Sequence, residues 1–482
     1  MAISRITFGE WTPDQSGLTN GLQKAENVYP KAVGYGALQS AVDYSEAASE
    51  NLTNVVAGRV SDGTTKVFAG GATKLFELDV SDSTLDDVSK SGGYTTPVGQ
   101  RWRFTQFGNV IIAANGDDKL QGFNVNSSTL FADLSADAPE ARYVTIVRDF
   151  VVSGYINSTT VYPNRVQWSA LGDESSWANS ATTQADYQDI PDGGSVVGVT
   201  GGEFGLVLMD RSIHRMSYIG SPLVFQFDNI SRNLGCYEAN SIVQYSGTTF
   251  FLSDDGFYAC DGQNIFPIGN EKVNRYFFAD VDEGYLNLMS AAVDPFRKLI
   301  IWAYASNSSS VADKLLIYNY ETKKWSSGTT TVDRVATSST PSVTLEGLDT
   351  FGTLDTIETS FDSRIWLGGK MQFAGVRDAK IVTFSGSNRD AIIETGDIEV
   401  PGSTSAITMA KPIVDNGSGD VALLSRRLLT ESTDFGAQTA ADSENRVSIR
   451  GVGRYHRLQL TPTGSWQTAI GVDVEMNGLG SR

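Results

Sequence analysis

Histidine and cysteine are scarce in this chain of 482 residues, which contains two of each. His214 and His456 lie in separate predicted strands with arginines beside them. A His-based metal site or a Ser-His-Asp triad needs histidine close to suitable partners, and neither position lies in such a motif. Cys236 and Cys260 form neither a CxxC motif nor a disulfide framework. We therefore expect two structural histidines and two buried thiols in a protein made in a reducing cytosol.

Long apolar segments are also missing. The longest apolar runs, such as residues 299–305, are far shorter than the ~20 residues that a membrane-spanning helix needs. Residues 1–9 lack the apolar stretch of a signal peptide. No segment has the period of a long amphipathic helix. We expect neither a signal peptide nor a membrane span.

Positive charge is in deficit. The chain has 37 Lys and Arg against 56 Asp and Glu, a net charge of −19 and a pI near 4.6. An acidic surface keeps a protein soluble and repels polyanions. Conventional DNA binding depends on Lys and Arg that neutralise phosphates, so this composition disfavours it.

Motifs that carry catalytic chemistry are absent from the sequence: it has no GxSxG elbow, no P-loop and no HExxH. Four stretches approach a known motif and lack a defining residue of it. We assign no catalytic, cofactor-binding or metal-binding residue and predict that the protein is not an enzyme. A glycan hydrolase stays open as an alternative, because its two carboxylates can lie far apart in the chain. The four stretches are Gly451-Val-Gly-Arg-Tyr-His (dinucleotide fingerprint without its last Gly), Asp280-Val-Asp-Glu-Gly and Asn115-Gly-Asp-Asp (Ca²⁺ loops without the EF-hand Gly and Glu), and Ser253-Asp-Asp-Gly-Phe-Tyr (a sialidase Asp-box turn without its Thr-Trp).

Short strands with tight turns are abundant. Apolar stretches rich in Val, Ile, Phe, Tyr and Trp are bounded by Gly, Asn, Asp and Ser, which is typical of an all-β protein. A pair of such strands recurs six times, in units that open near residues 64, 107, 148, 201, 246 and 296. A period of about 40–50 residues is typical of β-propeller blades. We predict a propeller of about six to seven blades; two consecutive β-sandwiches are the alternative. The six pairs begin Lys66 and Lys74, Asn109 and Lys119, Asp149 and Arg165, Phe204 and Ser212, Thr249 and Gly256, and Lys298 and Lys314.

Three regions follow from this pattern. Residues 1–45 have little strand periodicity and are predicted to form an extended N-terminal arm on another surface, mobile until something holds it. Residues 46–340 form the propeller, and a Ser/Thr-rich stretch ends it. Residues 341–482 form a C-terminal β-region, in which a pair beginning at Lys380 and Asp390 would add a further blade.

Four tryptophans lie in or beside these strands: Trp168, Trp177, Trp302 and Trp325. Such rings can form stacking platforms for sugars or single-stranded nucleic acid. At strand positions we predict burial between blades instead.

Nine segments, in order over nearly the whole chain, resemble a known family. They are Asn27-Val-Tyr-Pro, Gly34-Tyr-Gly, Arg165-Val-Gln-Trp-Ser-Ala-Leu-Gly-Asp-Glu-Ser-Ser-Trp, Asp189-Ile-Pro-Asp-Gly-Gly, Gly256-Phe-Tyr-Ala-Cys-Asp-Gly, Ile268-Gly-Asn-Glu-Lys-Val, Gly453-Arg-Tyr-His-Arg-Leu, Trp466 and Gly471-Val-Asp-Val-Glu. The chain resembles the tail nozzle family of short-tailed bacteriophages (podoviruses), also called tail tubular or stabilisation proteins. The match is least distinct from about Pro341 to Phe373.

The resemblance implies a structural protein of the virion tail, made in the host bacterial cytoplasm. Six copies would form a ring below the portal and its adaptor protein, carry tail fibres or spikes, and extend the channel for genome ejection. Double-stranded DNA would pass without specific binding, and the family supplies no catalytic residue. Acidic turns are candidates for the channel wall: Asp117, Asp118, Asp254 and Asp255. A receptor- or glycan-binding propeller of the virion is the alternative function.

Overall fold

The structure is a computed structural model that describes residues 2–19, 21–341, 363–399 and 403–480, together with 348, 351, 352, 356, 357 and 359–361. Nearly all of these residues are strands or turns. Seven four-stranded antiparallel groups follow one another as the blades of a β-propeller, and the remaining strands form a β-sandwich beside it.

Five strands precede the first blade. They are β1 (Ala2–Thr7), β2 (Leu22–Glu26), β3 (Val28–Pro30), β4 (Tyr35–Ala37) and β5 (Gln39–Asp43).

Six blades come from consecutive sequence, each with its first strand innermost. Blade 1 has β6 (Asn54–Arg59), β7 (Thr65–Gly70), β8 (Leu75–Leu78) and β9 (Leu85–Asp87); blade 2 has β10 (Arg103–Phe107), β11 (Val110–Ala114), β12 (Gln121–Asn124) and β13 (Ala132–Asp133); blade 3 has β14 (Ala141–Val147), β15 (Phe150–Asn157), β16 (Val161–Trp168) and β17 (Asp186–Asp189). Blade 4 has β18 (Val196–Thr200), β19 (Gly205–Met209), β20 (Ile213–Gly220) and β21 (Val224–Ser231); blade 5 has β22 (Val243–Tyr245), β23 (Thr248–Ser253), β24 (Gly256–Cys260) and β25 (Ile265–Pro267); blade 6 has β26 (Ser290–Asp294), β27 (Leu299–Tyr304), β28 (Lys314–Asn319) and β29 (Lys324–Thr329).

Helices are short and lie between strands. Among the described residues they include α1 (Asn274–Asp280) and the 3₁₀ turns Ala239–Ser241, Glu283–Leu288 and Arg364–Trp366.

Blade 7 is assembled from both ends of the chain. It contains β30 (Arg334–Ser339), β31 (Met371–Arg377) and β32 (Lys380–Asn388), and its outermost strand is β5. The register of β5 on β32 pairs Val42 with Thr383 and Ala41 with Phe384. The N-terminal segment thus closes the propeller ring.

The sandwich is formed by the C-terminal strands with β1 to β4. The C-terminal strands are β33 (Ile392–Thr395), β34 (Ile398–Glu399), β35 (Thr404–Asp415), β36 (Ser418–Arg426), β37 (Val447–Gly453), β38 (Tyr455–Thr463) and β39 (Thr468–Gly480). One sheet has the order β3-β4-β39-β35-β37, with β1 also on β39. The other continues blade 6, because β2 lies between β29 and β33 and leads to β38, which also pairs with β34 and β36.

One hydrophobic core runs from the propeller into the sandwich. It joins Trp302 and Trp325 of blade 6 to Ile393, Leu458 and Val472 of the sandwich. The shared sheet and shared core make the two parts one continuous packed body.

Burial explains why the six strand pairs were recognisable. Each pair corresponds to the second and third strands of a blade, which neighbouring blades cover on both faces. A strand covered on both faces has a nearly continuous apolar sequence, as β19 and β27 have. The turns match as well: Ser246 and Gly247 both have positive φ in the β22–β23 hairpin, as a type I′ turn requires.

Two regions differ from the sequence-based expectation. Residues 1–45, expected as an extended arm, contain five strands that pair within the same chain. Residues 392–395, expected to pair with the strand at Lys380, instead lie in the sandwich between β2 and β38, and β31 is the hairpin partner. The pairings of β1 with β39, β2 with β33, β5 with β32 and β33 with β38 join residues far apart in sequence, so no local pattern predicts them. Within the stretch from Pro341 to Phe373, residues 342–347, 349, 350, 353–355, 358 and 362 lie outside the described residues.

Candidate functional site

The two histidines lie in different parts of the fold, and both are buried. His214, in blade 4, has its Nε2 2.9 Å from the Ser212 hydroxyl. His456, in the sandwich, lies between the hydroxyls of Ser405 and Ser425, at 2.9 and 2.8 Å. Burial is the main cause that lowers the pKa of each imidazole. Both form hydrogen bonds to serine hydroxyls inside the protein.

The two cysteines are free thiols in one apolar cluster between blades 4 and 5. Burial raises the pKa of Cys236 to about 12 and also raises that of Cys260. Thiols of this kind are poor nucleophiles at neutral pH. The expectation of buried cysteines is confirmed.

The motif-like acidic stretches occupy turns and caps. The Asn115 side chain accepts hydrogen bonds from the amides of Asp117 and Asp118. Asp282 caps the 3₁₀ turn that follows it, through the amide of Gly284. Among the residues that the structure describes, no group of three or more His, Cys, Asp or Glu is arranged to hold a metal ion.

The four singled-out tryptophans are buried, as predicted. Each is at most 2% exposed. Every indole N–H donates to a backbone carbonyl, at 2.8–2.9 Å. These rings belong to the core and are not stacking platforms.

A cavity of about 310 Å³ lies on the propeller axis, and we call it the axial channel. All seven innermost strands line it. Residues of the wall, one from each blade, are Val56, Phe104, Val144, Val199, Val243, Ala291 and Ala336. Because the innermost strands run in the same direction around the ring, the propeller has a starting face, where they begin, and a finishing face, where they end.

Two arginines cross the axis at the starting face. Arg101, just before β10 of blade 2, donates to the carbonyls of Asn287 (3.0 Å) and Met289, just before β26 of blade 6. Arg103 donates to Oδ1 of Asn240, just before β22 of blade 5, at 2.5 Å. Blades 5 and 6 lie opposite blade 2 in a seven-membered ring. The two side chains therefore obstruct this end of the axial channel.

An aromatic pocket of about 620 Å³ opens on the finishing face between blades 5 and 6. Five rings line it: Tyr245, Phe250, Phe266, Tyr318 and Tyr320. Polar groups at the same pocket are Asp261, Asn270, Lys272 and Lys323.

Exposure differs among these rings. Phe266 is 48% exposed, whereas Phe250 and Tyr318 are at most 5% exposed. The rings of Tyr245 and Tyr320 have centroids 5.5 Å apart. Burial is the main cause that raises the pKa of Tyr318 to about 12, so this phenol stays neutral. Aromatic walls with a few polar groups are typical of a small-molecule site.

Several of the segments that resemble the nozzle family meet where the propeller joins the sandwich. Asn27 has a φ of 57°. Its backbone N–H donates to the carbonyl of Ser327 in β29, at 2.9 Å. Its Oδ1 accepts from the amide of Thr329 at 2.9 Å, and its Nδ2 donates to the carbonyl of Asp390 at 2.8 Å. This one side chain connects blade 6 to the segment between β32 and β33.

Two glycines of the same segments allow close backbone approach there. A Cβ on Gly34, which has φ of 68°, would lie 2.2 Å from the carbonyl oxygen of Ala469. A Cβ on Gly471 would lie 2.2 Å from the carbonyl oxygen of Ile6. Larger residues at either position would separate β4 or β1 from β39.

Two more of the segments meet in blade 3. The Arg165 guanidinium donates two hydrogen bonds to the Asp189 carboxylate, at 2.7 and 2.9 Å. Its central carbon lies 3.7 Å from the Tyr162 ring centroid and 3.8 Å from that of Tyr187. Arg165 therefore fixes β17 to β16.

The acidic candidates for a channel wall differ in their surroundings. Asp118 accepts from the Thr95 amide and the Asn115 side chain, at 3.0 and 2.8 Å. Asp117, Asp254 and Asp255 are exposed. All four lie in turns between the second and third strands of their blades, so they share the starting face.

No motif in the sequence points to the arginines across the axis or to the aromatic pocket. Both are built from residues distant in the chain. None of these residues lies in a recognisable motif, and they come together only when the propeller ring closes.

No helix in the described part of the chain is long and apolar enough to cross a membrane. No family model matches the chain. No curated protein matches it either.

Several solved structures show a distant likeness to this chain. An extracellular domain from B. thetaiotaomicron is 11% identical, with a TM-score of 0.41, over 85% of this chain and 47% of that chain. The Pan2 WD40 domain of Neurospora crassa is 6% identical, with a TM-score of 0.38, over 64% of this chain and 90% of that one. The computationally designed Ika8 protein is 10% identical, with a TM-score of 0.36, over 73% of this chain and 100% of that one. This chain thus spans about half the length of the first structure, and all three likenesses are too distant to bear on function. The chain is a β-propeller protein.

Proposed function

We propose that this chain is a structural component of a short-tailed phage tail, forming a ring-shaped nozzle that extends the genome-ejection channel below the portal and its adaptor. One observation carries the proposal. The segments that resemble the nozzle family run in order over nearly the whole chain, and several of them meet at the junction between propeller and sandwich, around Asn27, Gly34 and Gly471.

The packing suits a subunit that must keep its shape while DNA passes. A nine-stranded sheet runs from blade 6 into the sandwich, and one hydrophobic core underlies both. Interdomain motion is the usual expectation when few contacts cross a boundary. Here β2 connects the two parts, because it pairs with β29 of blade 6 on one side and with β33 of the sandwich on the other. Such a body can transmit load between neighbours in a ring.

Localisation in the particle tests the proposal. Antibodies against this chain, applied to purified phage particles that contain it, should label the tail tip in immunogold electron microscopy. Quantitative mass spectrometry of the same particles should find six copies of this chain per particle. Absence from purified particles, or a single copy per particle, would reject the nozzle.

A receptor- or glycan-binding propeller of the virion is the second candidate, and the aromatic pocket favours it. Sugar rings stack on exposed aromatic faces, and Asp261 and Asn270 could accept or donate hydrogen bonds to hydroxyls. Isothermal titration with oligosaccharides from the host surface tests this function. Phe266→Ala should abolish binding, and the matched variant Phe296→Ala, at an exposed ring outside this pocket, should not. Heat signals no larger than dilution for every oligosaccharide would exclude this candidate.

A further inference from the structure

Three arginines gather around the axis at the starting face, and we call them the axial arginine cluster: Arg101, Arg103 and Arg334. Arg101 is 8% exposed, and the other two are partly buried. Burial and the charges of Arg334 and Arg103 lower the pKa of Arg101 well below its ordinary value. Arg101 therefore lies close enough to the other two cations to be repelled by both.

Neutral oxygens are the only hydrogen-bond acceptors that these guanidiniums have within the described ranges. Arg101 donates to two backbone carbonyls, and Arg103 donates to the amide oxygen of Asn240. Arg334 donates to the carbonyl of Asp333 at 2.6 Å, and its buried Nε has no hydrogen-bond partner. None of the three forms an ion pair with a described carboxylate.

The nearest compensating charge for Arg101 and Arg103 is Glu238. Its carboxylate accepts from the amide of Asn240 at 2.9 Å. Burial raises the pKa of Glu238, although the charges of Arg101 and Arg103 act in the opposite direction. The charge of Asp333 acts on Arg334, so two carboxylates face the three cations. Burying cations without matching anions is costly, so a cluster of this kind is expected to hold an anion.

Arg103 makes the cluster accessible from the inside of the propeller. Arg103 lines the axial channel, whose volume of about 310 Å³ exceeds that of one small oxyanion. Its guanidinium also lies 5.9 Å from the centroid of the Tyr143 ring, which lines the same channel. A ligand in the channel can therefore meet Arg103 directly, at the edge of the cluster.

We propose that the axial arginine cluster binds a phosphate group at the starting-face end of the axial channel. A guanidinium presents paired N–H donors that match the oxygens of phosphate. The buried Nε of Arg334 has no hydrogen-bond partner in the cluster, and the phosphate charge compensates the cations. The group belongs either to inorganic phosphate or to a small phosphomonoester whose organic part extends into the channel. This site is independent of the proposed nozzle function.

Binding to the purified full-length chain tests the site. Isothermal titration in a chloride buffer should show saturable binding of inorganic phosphate or of glycerol 3-phosphate. The stronger of the two ligands identifies the source of the phosphate group. The Tm should rise with the ligand and not with sodium chloride at equal ionic strength. Absence of binding of both ligands would overturn the proposal.

Variants locate the binding. Arg334→Gln and Arg103→Gln should each weaken the Kd at least about tenfold, the value of one charge-assisted hydrogen bond. The matched control is Arg5→Gln, at an exposed guanidinium paired with Asp473 in the sandwich, and it should leave the Kd unchanged. Should Arg103→Gln not fold, Arg334→Lys serves instead, since it keeps the charge, loses the paired donors and should still weaken the Kd. An equal Kd in wild type, Arg334→Gln and Arg334→Lys would overturn the proposal.

Discussion

The indole of Trp302 is fully buried and packs against two other aromatic rings. Its centroid lies 4.8 Å from that of Phe257 and 5.7 Å from that of Trp325, and its N–H donates to the carbonyl of Ser241 at 2.9 Å. Blade 6 and the sandwich share the core that contains it. A cavity at this position would therefore affect both parts of the molecule.

Trp302→Ala should lower the free energy of unfolding by about 3–5 kcal/mol, the usual cost of truncating a fully buried aromatic side chain. Urea denaturation followed by tyrosine fluorescence gives the value. Val98→Ala is the control, because Val98 is fully exposed and should change the free energy by only a few tenths of a kcal/mol. A loss below 1 kcal/mol for Trp302→Ala would contradict the packing described here.

The Arg165–Asp189 ion pair gives the molecule a pH-dependent contact. The hydrogen bonds from Arg165 are the main cause that lowers the pKa of Asp189. A carboxylate with a lowered pKa in the folded state stabilises that state fully above its unfolded pKa of about 3.9, and loses the effect as pH falls through the lower folded value. The Asp189 side chain is 42% exposed, so solvent screens the pair and the effect on Tm is small.

Asp189→Asn should therefore lower the Tm at pH 7, and the difference from wild type should shrink below about pH 4. Thermal unfolding followed by circular dichroism at pH 7, 5 and 3 measures it. Arg165→Lys keeps the positive charge and loses the bidentate hydrogen bonding. Its Tm at pH 7 should therefore lie between those of the wild type and Asp189→Asn. A difference that stays constant from pH 7 to pH 3 would mean that the ion pair does not contribute.

At the scale of elements, closure of the ring depends on strands from the first 43 residues. β5 is the outermost strand of blade 7, and β2 is an inner strand of the shared sheet. Asp43 reinforces the closure through hydrogen bonds from Arg377 and Lys380. Without β5, the edge of β32 would expose unpaired backbone groups.

Amide hydrogen exchange should find β2 and β5 protected in the isolated chain, because both are hydrogen-bonded in sheets. Mass spectrometry of peptides covering residues 22–26 and 39–43 measures the protection. Peptides from β19 provide the slow reference, and those from the exposed turn at residues 61–64 provide the fast one. If the amides of residues 22–43 exchange as fast as those of that turn, the N-terminal segment is a mobile arm, as the sequence led us to expect.

Elements differ in how far the sequence could predict them. The six central hairpins were predictable because each is local and apolar on both faces, and the tight turns at Gly63 and Gly247 delimit them. The pairings of β5 with β32 and of β2 with β33 were not, since they join residues more than 300 positions apart. The same holds for the axial arginine cluster and the aromatic pocket: each arginine or tyrosine is ordinary by itself, and the chemistry arises only when opposite or neighbouring blades come together.

The whole molecule carries a net charge of −19, and that charge bears on the passage of DNA through the proposed nozzle. Duplex DNA has one negative charge per ~1.7 Å, and each Lys–phosphate contact adds a favourable counterion-release contribution. A ring repeats every contact in each subunit, which multiplies even a weak attraction. Acidic channel walls would not retain DNA in this way. Screening limits their repulsion of the phosphates to about 8 Å at physiological ionic strength.

We expect Lys substitutions on the starting face to slow genome ejection if that face lines the channel of the proposed ring. The exposed positions are Asp117, Asp254 and Asp255; Asp118 is excluded because its carboxylate holds a turn. The matched control is Glu203→Lys on the finishing face, where the Glu203 side chain is 88% exposed.

Ejection rates from particles carrying each variant are compared at low and high salt. A triple Lys variant should eject more slowly than Glu203→Lys at low salt and recover at high salt, because salt removes the counterion-release contribution. Equal rates at low salt, where screening is weakest, would show that charge on this face does not keep the channel clear.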